Sequence, residues 1–255
     1  MWLSTANACV ECPAEMHNAK IFNPHPQIER VPLTNGETCY VIDDALLEPT
    51  KVVEWASLQR EAFRSVDFNA YPGNFLLLPA PVDDALREFF IQHMRGLFDA
   101  RRLLKMQCRL SMVTLPPAAL RPYQWVCHTD RSGLDPSQSI QASVLYLFQD
   151  SSFGGTSFYE PARSKAETAQ FFADSAELSN EAFTQRYGIQ PGYIAGSNDY
   201  FTQVGSISAR WNRLIFYDGS LLHSGDIPAP EKLSDDPRTG RLTFNGFFVC
   251  RRNAA

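Results

Sequence analysis

The sequence predicts a mainly β protein with α support, in which an N-terminal helical layer packs against a C-terminal β jelly roll. Three observations carry that expectation. Up to about residue 98, apolar residues recur at spacings of three and four, the repeat of an amphipathic helix. From residue 106 the period drops to two, the repeat of a strand. Further short apolar runs then follow, separated by turn residues at the intervals of an all-β sandwich or barrel. A chain of 255 residues suits one such domain with elaborations.

Residues 1–37 read as a leader or extension, and 38–105 as a helical support region of the same domain. ETCYVIDD reads as a strand, followed by a helix opening near Pro49, whose missing N–H is tolerated in a first turn. Val52, Val53, Ala56, Ala62 and Phe63 share much of one face. After the turn-like NAYPG, Asp83 and Asp84 precede Ala85, Leu86, Phe89, Phe90, Met94, Leu97 and Phe98, the clearest helical spacing in the chain. His93 falls on or beside that face and reads as a packed residue rather than a ligand. His17 and His25, in polar sequence, read as solvated.

Residues 106–255 read as the β core. Met106, Cys108, Leu110 and Met112 alternate with Gln107, Arg109 and Ser111, the pattern of a half-buried strand. ASVLYLFQ (142–149) is continuously apolar and fits a strand buried on both faces. DSSFGGTSFYEP turns at Gly154 and Gly155, where glycine permits backbone angles that other residues resist. Residues 161–190 interrupt the strands with a helical insert, opened by a capping box between Ser164 and Glu167, and an insert here can cover a barrel mouth. GYIAGSNDYFTQVGSI, WNRLIFYDGS and GRLTFNGFFVC supply further strands.

The bulk properties exclude several classes. The net charge of -5, with both signs interspersed, gives no basic footprint for nucleic acid. No stretch reaches the ~20 apolar residues needed to cross a bilayer, and the first twenty residues lack a basic start and an apolar core. A soluble, cytoplasmic protein is expected. Six scattered cysteines read as reduced thiols. Cys9 and Cys12 form a lone CxxC without the second pair that a structural zinc requires, and read as part of a mobile leader.

The chemistry lies in QWVCHTDRSG and LLHSGD. In an extended segment, residues two apart point the same way, so His128 and Asp130 can meet one ion, with a third ligand supplied by another strand, such as His223. Two imidazoles and one carboxylate on one face of an octahedron leave positions open for a chelating co-substrate and dioxygen on Fe(II). Downstream, Arg241, Thr243 and Asn245 face one side of a strand whose other side carries Leu242 and Phe244. A guanidinium offers a planar fork to a carboxylate, and a hydroxyl two residues on can donate to the same oxygen, which suits a dicarboxylate inside a barrel. The plainer reading is a surface arginine on an edge strand.

Together HTD, SVLYLFQDSSFGGTSFYEP, NRLIFYDGSLLHSGD and GRLTFNGFF resemble the 2-oxoglutarate- and Fe(II)-dependent dioxygenases, especially their prolyl-hydroxylase-like branch, over about residues 106–250. CYVIDDALLEPTKVVEWA is similar to the strand-helix opening of that branch. The resemblance implies a double-stranded β-helix, the cupin-like jelly roll, with the N-terminal helices packed against it. It implies that His128, Asp130 and His223 bind Fe(II) and that Arg241 anchors the distal carboxylate of 2-oxoglutarate. Thr243 is the expected assistant of Arg241, and Asn245, next on that face, is a candidate to touch co-substrate or substrate, with no motif fixing its role. Eighteen positions separate His223 from Arg241, longer than usual for the branch, and Arg238 is the rival anchor.

The reaction so implied converts 2-oxoglutarate and O2 to succinate and CO2 while an unactivated C–H bond is hydroxylated. Family members that halogenate have a small residue where this chain has Asp130, so hydroxylation is favoured. The substrate expected is an amino acid, a peptidyl side chain or a small metabolite. Tyr187, Tyr193, Tyr200, Phe201 and Arg131 are candidates to touch it, with core packing and solvation as their ordinary explanations. Two other classes remain open: a non-catalytic jelly roll that binds a small molecule, and a zinc-dependent hydrolase using the same ligands.

Overall fold

Alternation and helical spacing build two faces onto one sheet. The computed structural model describes residues 20–65, 71–78, 80–131 and 133–253. In chain order the elements are β1 (Glu29–Pro32), β2 (Thr38–Ile42), α1 (Pro49–Leu58), β3 (Arg64–Ser65), β4 (Gly73–Leu77), α2 (Ala80–Phe89), β5 (Arg102–Val113) and β6 (Gln138–Tyr146). They continue with β7 (Thr156–Pro161), α3 (Lys165–Glu177), α4 (Asn180–Tyr187), β8 (Phe201–Ile207), β9 (Arg213–Asp218), β10 (Leu222–Gly225) and β11 (Arg241–Arg251). The large sheet runs β1-β2-β9-β6-β11-β5-β4-β3, and the small one β10-β7-β8, antiparallel throughout. From β5 onward the chain passes between the two sheets repeatedly, and an isolated pairing of His128 with His223 extends the small sheet beyond β10. This is the double-stranded β-helix, or jelly roll, with helices against its large sheet.

Each inner strand of the large sheet packs on both sides. One face of it, carrying Leu110, Met112, Leu145, Phe216, Leu242 and Phe244, is covered by Trp55 and Ala56 of α1 and Leu86 and Phe89 of α2. The other face meets the small sheet through Ala142, Tyr146, Ile215 and Tyr217 against Phe158, Val204 and Ile207. The part of β6 that falls in the apolar run 142–149 is therefore apolar on both faces because helices cover one and the second sheet covers the other.

Several elements depart from the sequence expectation. Residues 29–32 join the large sheet as β1, and Phe22 pairs with Leu46 and packs 5.0 Å from Phe89, so these parts of residues 1–37 belong to the fold. The region 38–105 is not purely helical, since β2 and β4 extend the sheet on either side. The second helix starts earlier, at Ala80, with Pro81 tolerated in the first turn. After Phe89 it widens into a five-residue turn, Phe90–Met94, then tightens over Arg95–Leu97. Phe90 and Met94 stay buried while Leu97 turns outward. Strand structure in 192–207 is confined to β8. Cys39, Cys108, Cys127 and Cys250 are buried free thiols, whereas Cys9, Cys12 and His17 lie outside the described residues.

Candidate metal centre and its cavity

Backbone pairing positions the three candidate ligands. The His128 amide donates to the His223 carbonyl and the His223 amide to the His128 carbonyl, both at 2.9 Å. Two residues on, the Asp130 amide donates to the Gly219 carbonyl at 2.7 Å. A Cβ on Gly219 would stand 3.2 Å from that of Asp130, so a glycine lets the β9–β10 turn approach this closely. His223 Nε2 lies 3.5 Å from Asp130 Oδ2, and His128 Nε2 lies 3.9 Å from Asp130 Oδ1. One donor atom from each of the three falls within 4.8 Å of the others, the one such group of histidine, cysteine or acidic side chains among the described residues.

The surroundings prepare these groups for a cation. His223 Nδ1 lies 2.8 Å from the Leu221 carbonyl, which holds the proton on that nitrogen and leaves the Nε2 lone pair free. Tyr217 packs edge-on against the ring at 4.7 Å. Desolvation lowers both histidines to about 4, and for His128 the neighbouring His223 acts in the same direction. His128 opens onto the cavity, but protein surrounds that opening. Burial raises Asp130, against the opposing pull of His128 and Arg109. Asp130 Oδ2 is buried without a hydrogen-bond partner among the described residues. Two neutral imidazoles and an unsatisfied carboxylate fit a divalent metal with coordination positions left open.

These groups line a cavity of about 430 Å³ between the sheets. Arg241, Thr243 and Asn245 line it too. Arg241 is 4 % exposed; its Nε donates to the Phe153 carbonyl at 2.8 Å, and its Nη2 to the carbonyls of Gly155 at 2.8 Å and Gly154 at 3.3 Å. The paired glycines make this possible. Gly154 has φ +70, and a Cβ on Gly155 would lie 1.9 Å from the Ile207 carbonyl oxygen, so the turn closes against β8 and presents its carbonyls to the guanidinium. Nη1 of Arg241 has no hydrogen-bond partner among the described residues. Thr243 donates to the Ser111 carbonyl at 3.3 Å, and Asn245 Oδ1 is buried without a partner. Arg238 is exposed in a turn where its amide meets Asp236, away from the cavity lining.

The other candidates separate clearly. Tyr193 lines the cavity and donates to the Leu115 carbonyl at 2.6 Å. Tyr187, Tyr200 and Phe201 instead surround Phe171 of α3, the helix opened by the Ser164–Glu167 capping box. That aromatic cluster packs on Trp125, Val126 and Cys127, directly ahead of His128. Arg131 is exposed and outside the lining. His93 is half-buried against Phe89 at 5.0 Å, and His25 is exposed. Sequence reasoning missed Arg109, Phe247, Tyr123 and Tyr217, all on the cavity wall. The signal was present for Arg109: it shares the polar face of the 106–112 alternation, which turns inward rather than to solvent.

A family model described as "Family of unknown function (DUF6445)" matches residues 24–248. No curated protein matches the chain. Among solved structures it is similar to the non-heme alpha ketoglutarate dependent carbocyclase SnoK from nogalamycin biosynthesis, at 11% identity over 86% of this chain and 81% of that one, with a TM-score of 0.47. An N-substituted L-amino acid dioxygenase from Burkholderia ambifaria AMMD is 13% identical over 90% and 99%, at 0.42. HygX from Streptomyces hygroscopicus, with nickel and 2-oxoglutarate bound, is 12% identical over 84% of each chain, also at 0.42.

Proposed function

The chain belongs to the DUF6445 family, and we propose that it is an Fe(II)- and 2-oxoglutarate-dependent oxygenase that hydroxylates a C–H bond of a small molecule. The observation that carries this reading is the triad of His128, Asp130 and His223 in a cavity that also holds the buried Arg241. Bound iron with 2-oxoglutarate supplies the oxidising power, the overall change being substrate, O2 and 2-oxoglutarate to hydroxylated substrate, succinate and CO2. His223 binds through the nitrogen that its Leu221 contact leaves free, and Asp130 neutralises part of the metal charge. Arg241 receives the distal carboxylate through its remaining donor, with Thr243 beside it. The order of HTD, the paired glycines, the distal histidine and the arginine supports the prolyl-hydroxylase-like branch. A volume of about 430 Å³ is that of a small-molecule site, which favours a small metabolite or free amino acid over a polypeptide.

The test is anaerobic loading with Fe(II) and 2-oxoglutarate, followed by oxygen. Uptake of one metal, and succinate that appears only with iron, 2-oxoglutarate and oxygen together, is expected. Failure to take up Fe(II), or zinc-supported hydrolysis without oxygen consumption, overturns the reading.

A further inference from the structure

Arg109 stands on the cavity face of β5, opposite Asn245 of β11, and lines the same cavity as the three candidate ligands. Its guanidinium lies between two rings, 4.9 Å from the centroid of Phe75 and 4.9 Å from that of Phe247. Such stacking holds a cation in one orientation and strips water from it. Nε is buried without a hydrogen-bond partner among the described residues. Among the described residues its electrostatic partners are the buried Tyr71 hydroxyl and one carboxylate, Asp130, whose oxygens face His128 and His223. A metal held by Asp130 would claim that negative charge and leave Arg109 without a counter-charge among the described residues. A desolvated guanidinium without a counter-charge is costly, and a site that keeps one is complete only with an anion.

The co-substrate does not account for that anion. On the oxygenase reading, one of the two carboxylates of 2-oxoglutarate would chelate the metal and the other would go to Arg241, which is held against Phe153, Gly154 and Gly155 at the other end of the polar row on β11. We propose that Arg109 binds a carboxylate on the substrate itself, so that the substrate class is small organic acids. This rests on the oxygenase reading of the same cavity. The acid group anchored between Phe75 and Phe247 then fixes which C–H bond is presented to the metal.

A carboxylate at Arg109 has two possible sources, the substrate and the metal-chelating end of 2-oxoglutarate, and calorimetry separates them. Nickel-loaded protein, with and without 2-oxoglutarate, is titrated with benzoate, phenylacetate and hippurate, and with the primary amide of each. Wild type is expected to bind at least one acid about tenfold or more tighter than its amide. Arg109→Gln loses that preference while binding 2-oxoglutarate within about threefold of wild type. Arg109→Lys, which keeps the charge without the stacked fork, restores part of it and shows that the loss is not misfolding. No acid preference in wild type, or its survival in Arg109→Gln, overturns the proposal. Loss of 2-oxoglutarate rather than acid binding in Arg109→Gln also overturns it, assigning the residue to the co-substrate. Wild type that takes up neither nickel nor 2-oxoglutarate sinks the oxygenase reading instead, and an acid preference that depends on Arg109 would still stand.

Discussion

His128 and His223 hold each other through their backbones, each amide donating to the other's carbonyl at 2.9 Å. The separation of the two rings, 4.5 Å between centroids, is thus set by strand pairing and not by side-chain rotamers alone. A pair fixed this way would lose little ordering entropy on receiving a metal.

Replacing Asp130 by asparagine separates stability from binding. Burial opposes the carboxylate charge, so the metal-free variant should melt at the same temperature as wild type or higher, by up to about 1–2 kcal/mol of stability. Nickel affinity, read by calorimetry, should fall by more than about 100-fold, because a ligand is lost rather than a supporting contact. A metal-free variant clearly less stable than wild type would contradict the burial cost assigned to the Asp130 carboxylate.

Arg241→Gln and Arg238→Gln should differ sharply. The first removes donors from three carbonyls at the glycine turn and should cost about 2–4 kcal/mol in denaturant unfolding, with a loss of 2-oxoglutarate affinity of about tenfold or more. Exposed Arg238 should change stability by no more than about 0.5 kcal/mol and leave affinity intact.

Acid should destabilise the metal-free protein in a defined window. His128 and His223 stand at about 4 in the fold, against an ordinary 6.5. Between those values the unfolded chain takes up protons that the native state refuses, so their contribution is full above about pH 6.5 and is lost as pH falls toward 4. Asp130, raised by burial, acts with the opposite sign. Thermal melts from pH 7 to 4 should fall through this range, and His223→Gln should flatten the slope. Nickel should stay bound to about pH 5, since the imidazoles are still neutral there.

The insert backs the segment that leads into His128. Phe171 is 1 % exposed and its ring meets those of Phe183, Tyr187, Tyr200 and Phe201. Phe171→Ala should cost about 3–5 kcal/mol. Because this cluster backs Trp125 to Cys127, hydrogen exchange at the His128 amide should quicken in the same variant. Unchanged exchange there would show that the insert and the ligand strand open separately.

Much of this site was legible because its signals are local. HTD places two candidate ligands by a two-residue spacing, and 241–245 reads as a polar row on an apolar strand. The long-range parts were not legible. The alternation at 106–112 sorts a polar face from an apolar one, but that the polar face carrying Arg109 looks into a cavity rather than into solvent depends on β11 pairing along the strand and on α2 covering the opposite face. The widened turn at Phe90–Met94 was hidden for a similar reason. Its apolar residues satisfy a regular helix equally well, and the packing of Phe90 on Phe248 at 4.1 Å is a tertiary contact.

Along β11 the residues alternate in allegiance, with Leu242 and Phe244 turned to the helices and Arg241, Thr243 and Asn245 to the cavity. Its register with β5 holds unbroken from Arg241 to Val249 and slips only after it. Losing one residue inside that stretch would exchange the two sets, driving a guanidinium into the helix layer and phenylalanine into the cavity. The strand is therefore far less tolerant of changes in length than of changes in side chain. Insertions and deletions should be accommodated instead in the connection at 226–240, ahead of the strand.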